Sequence, residues 1–148
     1  MSRAIVLAML IIFVGVGVAW AEEGAIGVIK EMDGTAFIMS NGQRTPATLG
    51  AAIFLNDDIE TGADGSVGIT FVDESILSLG PDTVLTVDEY VFDPANGKGS
   101  FVSRLSRGTL LYVSGLIAKI APGNSRVDTP VSTIGIRGTR FLIRYEGA

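Results

Sequence analysis

Four Asx-Gly dipeptides punctuate this chain, at Asp33-Gly34, Asn41-Gly42, Asp64-Gly65 and Asn96-Gly97. Asn, Asp and Gly accept the positive φ that tight hairpin turns require. The runs between them are short, apolar and β-branched, and none sustains a helical period. Residues 25–32 and 35–40 are expected to pair as a first hairpin across Asp33-Gly34, with 43–48 as a third short strand before a break at Leu49-Gly50. Val67, Ile69 and Phe71 alternate with Gly68, Thr70 and Val72, the period of a half-buried strand. Ile76, Leu77 and Leu79 mark its return after Asp73-Glu74-Ser75, and Gly80-Pro81-Asp82 turns the chain again. Val84, Leu85, Val87, Tyr90 and Phe92 form the next strand pattern, and residues 101–105 and 109–114 flank a further turn at Ser106-Arg107-Gly108. Residues 116–121 fit either one helical turn or a strand, and Pro122-Gly123-Asn124 ends that piece in both cases. Extended chain resumes at 125–128, and 140–145 is the last strand. The expected fold is all-β: short antiparallel strands and hairpins in a twisted, solenoid-like or sandwich-like stack, the solenoid-like form favoured.

The chain opens on one basic residue, Arg3, followed by an apolar run over 4–18, then Ala19-Trp20-Ala21 and Glu22-Glu23. A basic start, a short apolar core and an A-x-A end make a secretory leader, expected over residues 1–21 with cleavage after Ala21. The run is shorter than the roughly 20 residues of a spanning helix, so a retained anchor is the lesser alternative. The expected mature chain, 22–148, is a single domain, long enough to bury a core without staples. Its expected location is the periplasm or the exterior.

Charge and composition narrow the chemistry. Without Arg3, ten basic residues face sixteen acidic ones, a net charge near −6. Such a balance argues against nucleic acid and anionic lipid as partners. The chain has no cysteine and no histidine. That removes Cys–His and Ser–His–Asp machinery, His/Cys zinc sites, disulfides and an N-terminal lipid-bearing cysteine.

The run Asp128-Thr-Pro-Val-Ser-Thr-Ile-Gly-Ile-Arg-Gly-Thr-Arg-Phe141 is the most unusual in the sequence. Pro130 lacks an N–H and pushes Thr129 towards extended geometry, so no helix forms there. Gly135 and Gly138 bracket Ile136-Arg137, which suggests bends or close backbone approach where a Cβ would clash. Arg137 sits among Ile134, Ile136, Phe141 and Ile143. One role for it is a bidentate fork for a carboxylate on a ligand or partner. The preferred one is an internal pair with Asp73, Asp82 or Asp128, because a buried lone charge is costly.

Other constellations carry less. Asp57, Asp58, Glu60, Asp64, Asp73 and Glu74 could supply oxygen ligands to calcium, but their spacing is not that of an EF-hand loop. Turn-forming and solvated carboxylates are the simpler reading. Paired carboxylates for glycoside hydrolysis need a ring-lined cleft. Trp20 belongs to the leader, and Tyr90, Tyr112 and Tyr145 fall at core-like positions. No G-x-S-x-G elbow is present. Thr129, Thr133 and Thr139 suit strands and turns better than an anion site. No enzyme, cofactor or metal centre is expected.

Thr129-Pro130, Gly135, Arg137-Gly138-Thr139 and Phe141 resemble the T-P-x-x-x-x-G-x-R-G-T-x-F signature of FecR-type periplasmic domains, named after a regulator of bacterial iron-dicitrate uptake. Gly50 and Asp58-Ile59-Glu60-Thr61-Gly62 resemble an earlier segment of that family. Gly65, Phe71, Asp73, Ser75, Leu77 and Leu79 resemble its following hairpin, with Glu74 where the family usually has glycine. Gly108-Thr109-Leu110 with Ser114-Gly115 resembles a later one. The resemblance covers roughly residues 34–143 and implies a twisted, solenoid-like β domain. The signature residues Thr129, Pro130, Gly135, Arg137, Gly138, Thr139, Phe141, Asp58, Thr61, Gly62, Asp73 and Ser75 are read as structural.

In the iron-uptake regulators such a domain follows a cytoplasmic anti-sigma segment and a membrane helix. Here a leader alone precedes it, so a stand-alone exported module is expected, with no direct hold on a sigma factor. No residue set is specific for iron or a siderophore. The closing Glu146-Gly147-Ala148 lacks the terminal aromatic of an outer-membrane barrel strand, so no stable membrane insertion is expected after leader cleavage. Two function classes follow. The first is a non-enzymatic interaction or signalling module that docks on an envelope protein by strand addition. The second is a small module binding cell-wall glycan or another ligand.

Overall fold

A computed structural model describes residues 24–138 and 140–147. The expected leader and Thr139 lie outside them. Twelve strands and one short α-helix follow in order. They are β1 (Gly27–Asp33), β2 (Ala36–Ser40), β3 (Gln43–Pro46), β4 (Ala52–Ile53), β5 (Asp58–Thr61) and β6 (Ser66–Phe71). Then come β7 (Ile76–Leu79), β8 (Val84–Asp93), β9 (Lys98–Val113), α1 (Ile117–Ile120), β10 (Ser125–Thr129), β11 (Ser132–Gly135) and β12 (Arg140–Tyr145). The expected all-β class holds. The strands form one mainly antiparallel sheet that curls into a half-barrel.

The sheet has two walls. One runs β4-β1-β6-β7-β9-β12, the other β3-β2-β5-β8-β9-β10-β11. β9 belongs to both because it is sixteen residues long. Its first half pairs with β8 and, in parallel, with β10; its second half pairs with β7 and β12. Alternating side chains from the two walls meet in the core, where Ile29, Ile53, Ile59, Ile69, Leu77 and Leu85 are all fully buried. Burial of this kind contributes roughly 1.5–3 kcal/mol per large side chain.

Several crossings between the walls stack side by side along one edge of the half-barrel. The turn after β1 meets the turn after β5 through Gly62 N–H to Thr35 O, 2.8 Å. The turn after β7 meets the same corner through Asp82 N–H to Gly62 O, 3.1 Å. The bend inside β9 closes the row, with Thr109 N–H donating to Thr83 Oγ1 at 3.0 Å.

Three of the expected turns are corrected. Residues 25–32 and 35–40 do not pair with each other: β1 pairs with β6 and β4, and β2 with β3 and β5. Asp33-Gly34 is a corner between walls rather than a hairpin tip. A corner uses the same positive φ, and β6 matches β1 over six register positions. Ser106-Arg107-Gly108 is likewise no turn, because β9 runs straight through it. The register slips between Val84 and Leu85 opposite Arg107 and Leu105, which is a β-bulge, and Gly108 bends the strand with φ 101°. Asp64-Gly65 is also a corner, since β5 pairs with β2 and β8 and not with β6, and neither residue has positive φ. The remaining Asx-Gly turns fall as expected. Asn41-Gly42 closes the β2–β3 hairpin with φ 51° and 79°. Asn96-Gly97 closes β8–β9 after one 3-10 turn. The ambiguous 116–121 piece takes the helical option as α1.

Candidate functional site

The most heavily used polar group in the molecule is Asp73, at the tip of the β6–β7 hairpin and fully buried. The hairpin loop is Val72-Asp73-Glu74, closed by Phe71 N–H to Ser75 O, 2.9 Å, and Glu74 N–H to Phe71 O, 3.0 Å. Glu74 has φ 70°, the left-handed residue that ends many three-residue hairpin loops. This geometry explains why glycine would suit position 74. It also drives Asp73 inward.

There its carboxylate collects hydrogen bonds from separate parts of the chain. Oδ1 accepts from the Ser75 hydroxyl, from Ser75 N–H at 3.3 Å and from Tyr90 OH at 2.8 Å. Oδ2 accepts Ile117 N–H at 3.1 Å, and the backbone O of Asp73 accepts Leu116 N–H at 2.7 Å. Asp73 N–H in turn donates to Tyr90 Oη at 2.9 Å. Hairpin, β8 and the start of α1 are thus tied to one residue. Gly115 comes so close that a Cβ on it would lie 2.3 Å from Asp73 O. Among the described residues no arginine or lysine pairs with Asp73; hydroxyl and amide donors meet its carboxyl oxygens instead.

Around this hub the aromatic residues form a continuous row. Phe71 meets Tyr90 and Phe101 at centroid distances of 5.6 and 4.8 Å, Phe101 meets Tyr112 at 5.6 Å, and Tyr112 stacks on Phe141 at 5.2 Å. Burial, and then the hydrogen bond to Asp73, push the Tyr90 phenol far above its usual range. Burial pushes Tyr112 up to about 12, with the nearby Ser125 hydroxyl pulling the other way. The Tyr112, Ser103 and Ser125 hydroxyls make no direct hydrogen bond among the described residues.

Arg137 is corrected. It is exposed, and among the described residues it has no ion pair. Its three candidate mates are placed elsewhere: Asp73 in the hub, Asp82 exposed at a corner, and Asp128 beside Arg126 at 3.3 Å. The reason is alternation along the chain, since Ile136 turns into the core at 3% exposure and its neighbour must turn out. Arg137 lies instead at a groove of about 300 Å³ with Ala118, Pro122, Gly123 and Ile136. Gly138 does lie in a bend, but the close backbone approach expected at Gly135 and Gly138 is corrected. A Cβ at Gly135 would meet nothing within 4 Å, and at Gly138 only Arg140 N at 4.0 Å.

The other signature residues build turns and corners. Thr129 Oγ1 accepts Ser132 N–H at 3.0 Å and so shapes the β10–β11 turn around exposed Pro130. Thr61 Oγ1 donates to Gly80 O at 2.6 Å and accepts Thr83 N–H at 2.9 Å, beside Gly62 in the corner row. Asp58 accepts the Thr86 hydroxyl across β5–β8. Ser75 and Phe141 belong to the hub and the aromatic row. Thr139 lies outside the described residues.

The six carboxylates weighed for calcium are dispersed. Asp57 accepts the Ser40 hydroxyl and Phe54 N–H, Glu60 faces Arg44 at 3.4 Å, and Asp64 and Glu74 are exposed on different turns. Sequence reasoning missed Tyr90 and Thr83 as polar partners of Asp73 and Thr61. They stand 17 and 22 residues away from them, and no short motif records that distance.

The hub is an internal brace and holds no open cleft. What the surface offers is edges. Among the described residues β12 pairs with β9 alone, and β11 with β10 alone. Val131, on the turn before β11, is 76% exposed, and Leu142 on β12 is 67% exposed.

The model of the family described as FecR protein matches residues 57–148. Among solved structures, a chain titled "Cell surface anchoring domain" is 41% identical over 40% of this chain and 80% of its own length, with a TM-score of 0.40. No curated protein matches.

Proposed function

We propose that this chain, which belongs to the FecR family, is an interaction module of the cell envelope that works by binding another protein chain and without catalysis. The observation that carries this reading is the open outer edge of β12. Six residues without a proline are hydrogen-bonded to the sheet on one side only. Such an edge is a template for strand addition. Leu142 stands opposite Leu111, which lies beside Ser78, and Ile76 stands beside Val113. Together they put an apolar strip next to the edge, rimmed by Arg140 and Arg144. Apolar patches with charged rims mark interaction surfaces. The buried carboxylates Asp57 and Asp73 are taken up by structural hydrogen bonds, which supports a non-enzymatic role. The aromatic row is internal rather than a platform for sugar rings, which supports protein over glycan as the ligand. Export through the leader, and hence the periplasm or exterior as the place of work, is part of the proposal.

The test is a photo-crosslinking amino acid at Leu142 in the intact cell. The expected result is a discrete adduct with a protein, absent when the probe replaces exposed Val91 on β8, opposite Ser100 at the far end of β9. Adducts with glycan strands alone, or none, would overturn the reading.

A further inference from the structure

Charge is divided along this chain. Residues 22–97 carry two basic residues against fourteen acidic ones, and residues 98–148 carry eight basic against two acidic. The fold turns that division into a division in space. Both walls begin with early strands, β3 and β4, at one end, and finish with late strands, β11 and β12, at the other. Strands β1 to β8 fill the acidic half, and β9 to β12 make up the basic one.

Among the described residues four ion pairs, Arg44–Glu60, Arg104–Asp88, Arg126–Asp128 and Arg144–Glu146, take up part of this charge. Arg107, Lys119, Arg137 and Arg140 are exposed and have no ion pair among the described residues. In the acidic half Glu31, Asp33, Asp64, Glu74 and Asp82 are exposed and equally unpaired. Each end also exposes apolar side chains. Leu142 and Val131 lie at the basic end; Leu49 and Leu55, at 65% and 44%, flank β4 at the acidic one.

We infer that the protein bound at the β12 edge is a second copy of this chain, joined head to tail, with its acidic β3/β4 end against the basic β11/β12 end of the first. This rests on the interaction reading above and names the partner for it. Like ends repel each other, so a two-fold dimer through either end sets equal charges face to face. Opposite ends attract, and that contact is heterologous: every added copy leaves one end of each kind free, so growth does not stop at two. The acidic end offers poor strand edges, since β4 has two residues and β3 ends on Pro46. Any strand pairing with β12 is therefore short, the contact is held mainly by charge and by the Leu49, Leu55, Val131 and Leu142 rims, and it is sensitive to salt.

The experiment is sedimentation velocity on the purified exported chain at rising concentration. In about 50 mM NaCl the expected result is a series of species beyond the dimer, and in about 500 mM NaCl association should weaken roughly tenfold or more. The doubly reversed variant Arg140→Glu/Arg144→Glu keeps its acidic end. It should be monomeric alone, and when mixed with the parent chain it should shorten the parent's oligomers by capping them. Circular dichroism checks that it is folded, and Lys119→Glu with Arg137→Glu, neither of them in β12, is a second route to the same loss. A monomer at low salt, a dimer that grows no further, or assembly indifferent to salt would each overturn the inference. If the chain is monomeric while the Leu142 probe still captures a different protein, head-to-tail assembly fails and the docking edge stands. If the probe captures no protein, both fail.

Discussion

Asp73 and Arg137 exchange the roles that their neighbours in sequence suggest. The arginine lies in an apolar run and is outside; the aspartate lies in a turn and is inside. A hairpin loop whose last residue is left-handed turned Asp73 under the sheet, where two hydroxyls and two amides meet its carboxylate. Asp73→Ala would leave Tyr90 OH, Ser75 OH and Ile117 N–H unpaired in the core. Each such group costs about 1–3 kcal/mol, so a loss of about 3–5 kcal/mol in chemical denaturation is expected. Arg137→Ala, at an exposed site, should stay within about 0.5 kcal/mol of the parent. The reverse ranking of the two variants would refute this account. Part of it was legible beforehand. Ile134 and Ile136 set an alternation that places residue 137 outward. The partners of Asp73 were not legible, because Tyr90 and Ile117 are brought to it only by the closed fold.

At the scale of elements, β9 decides the architecture. It belongs to two walls because Gly108 bends it with φ 101°, against Thr83. A Cβ there would lie 2.1 Å from Thr83 Oγ1. Gly108→Ala therefore adds strain in the left-handed region, about 1–3 kcal/mol, to a clash with the corner row. A loss of at least about 3 kcal/mol is expected, read as a fall in melting temperature; an unchanged melting temperature would sink the idea. The same dipeptide chemistry that correctly marked the Asn41-Gly42 hairpin mislabelled Asp33-Gly34. Both sites need positive φ, and local sequence carries no sign of whether the next strand folds back or crosses to the other wall. That choice is made by β6, more than thirty residues on.

For the whole molecule, strand content and most strand positions were legible from period and punctuation. The curl of the sheet was not, because it depends on one long strand whose sequence reads as two. The closed core has a pH signature. The folded chain keeps the Tyr112 proton up to about pH 12, whereas an ordinary phenol gives it up near 10.0. Stability is therefore complete below pH 10, and falls as pH rises from 10 to 12 by about 1.4 kcal/mol per unit at most for this group. Tyr90, also pushed up, adds to the fall. Denaturation midpoints across that range should drop, and Tyr112→Phe should flatten the drop. A parent curve without any decline would contradict the burial of both phenols.

The sharing of β9 also sets a timetable. Before Lys98 the chain holds two partial sheets with no strand in common, and every later strand pairs with β9 directly or through β10. A ribosome, or any channel that passes the chain from its N-terminus, must release about three quarters of the molecule before the two walls can become one sheet. Until then the pairings that β9 makes with β7, β10 and β12 have no template, and β1–β6 and β5–β8 can form only as parts of separate sheets.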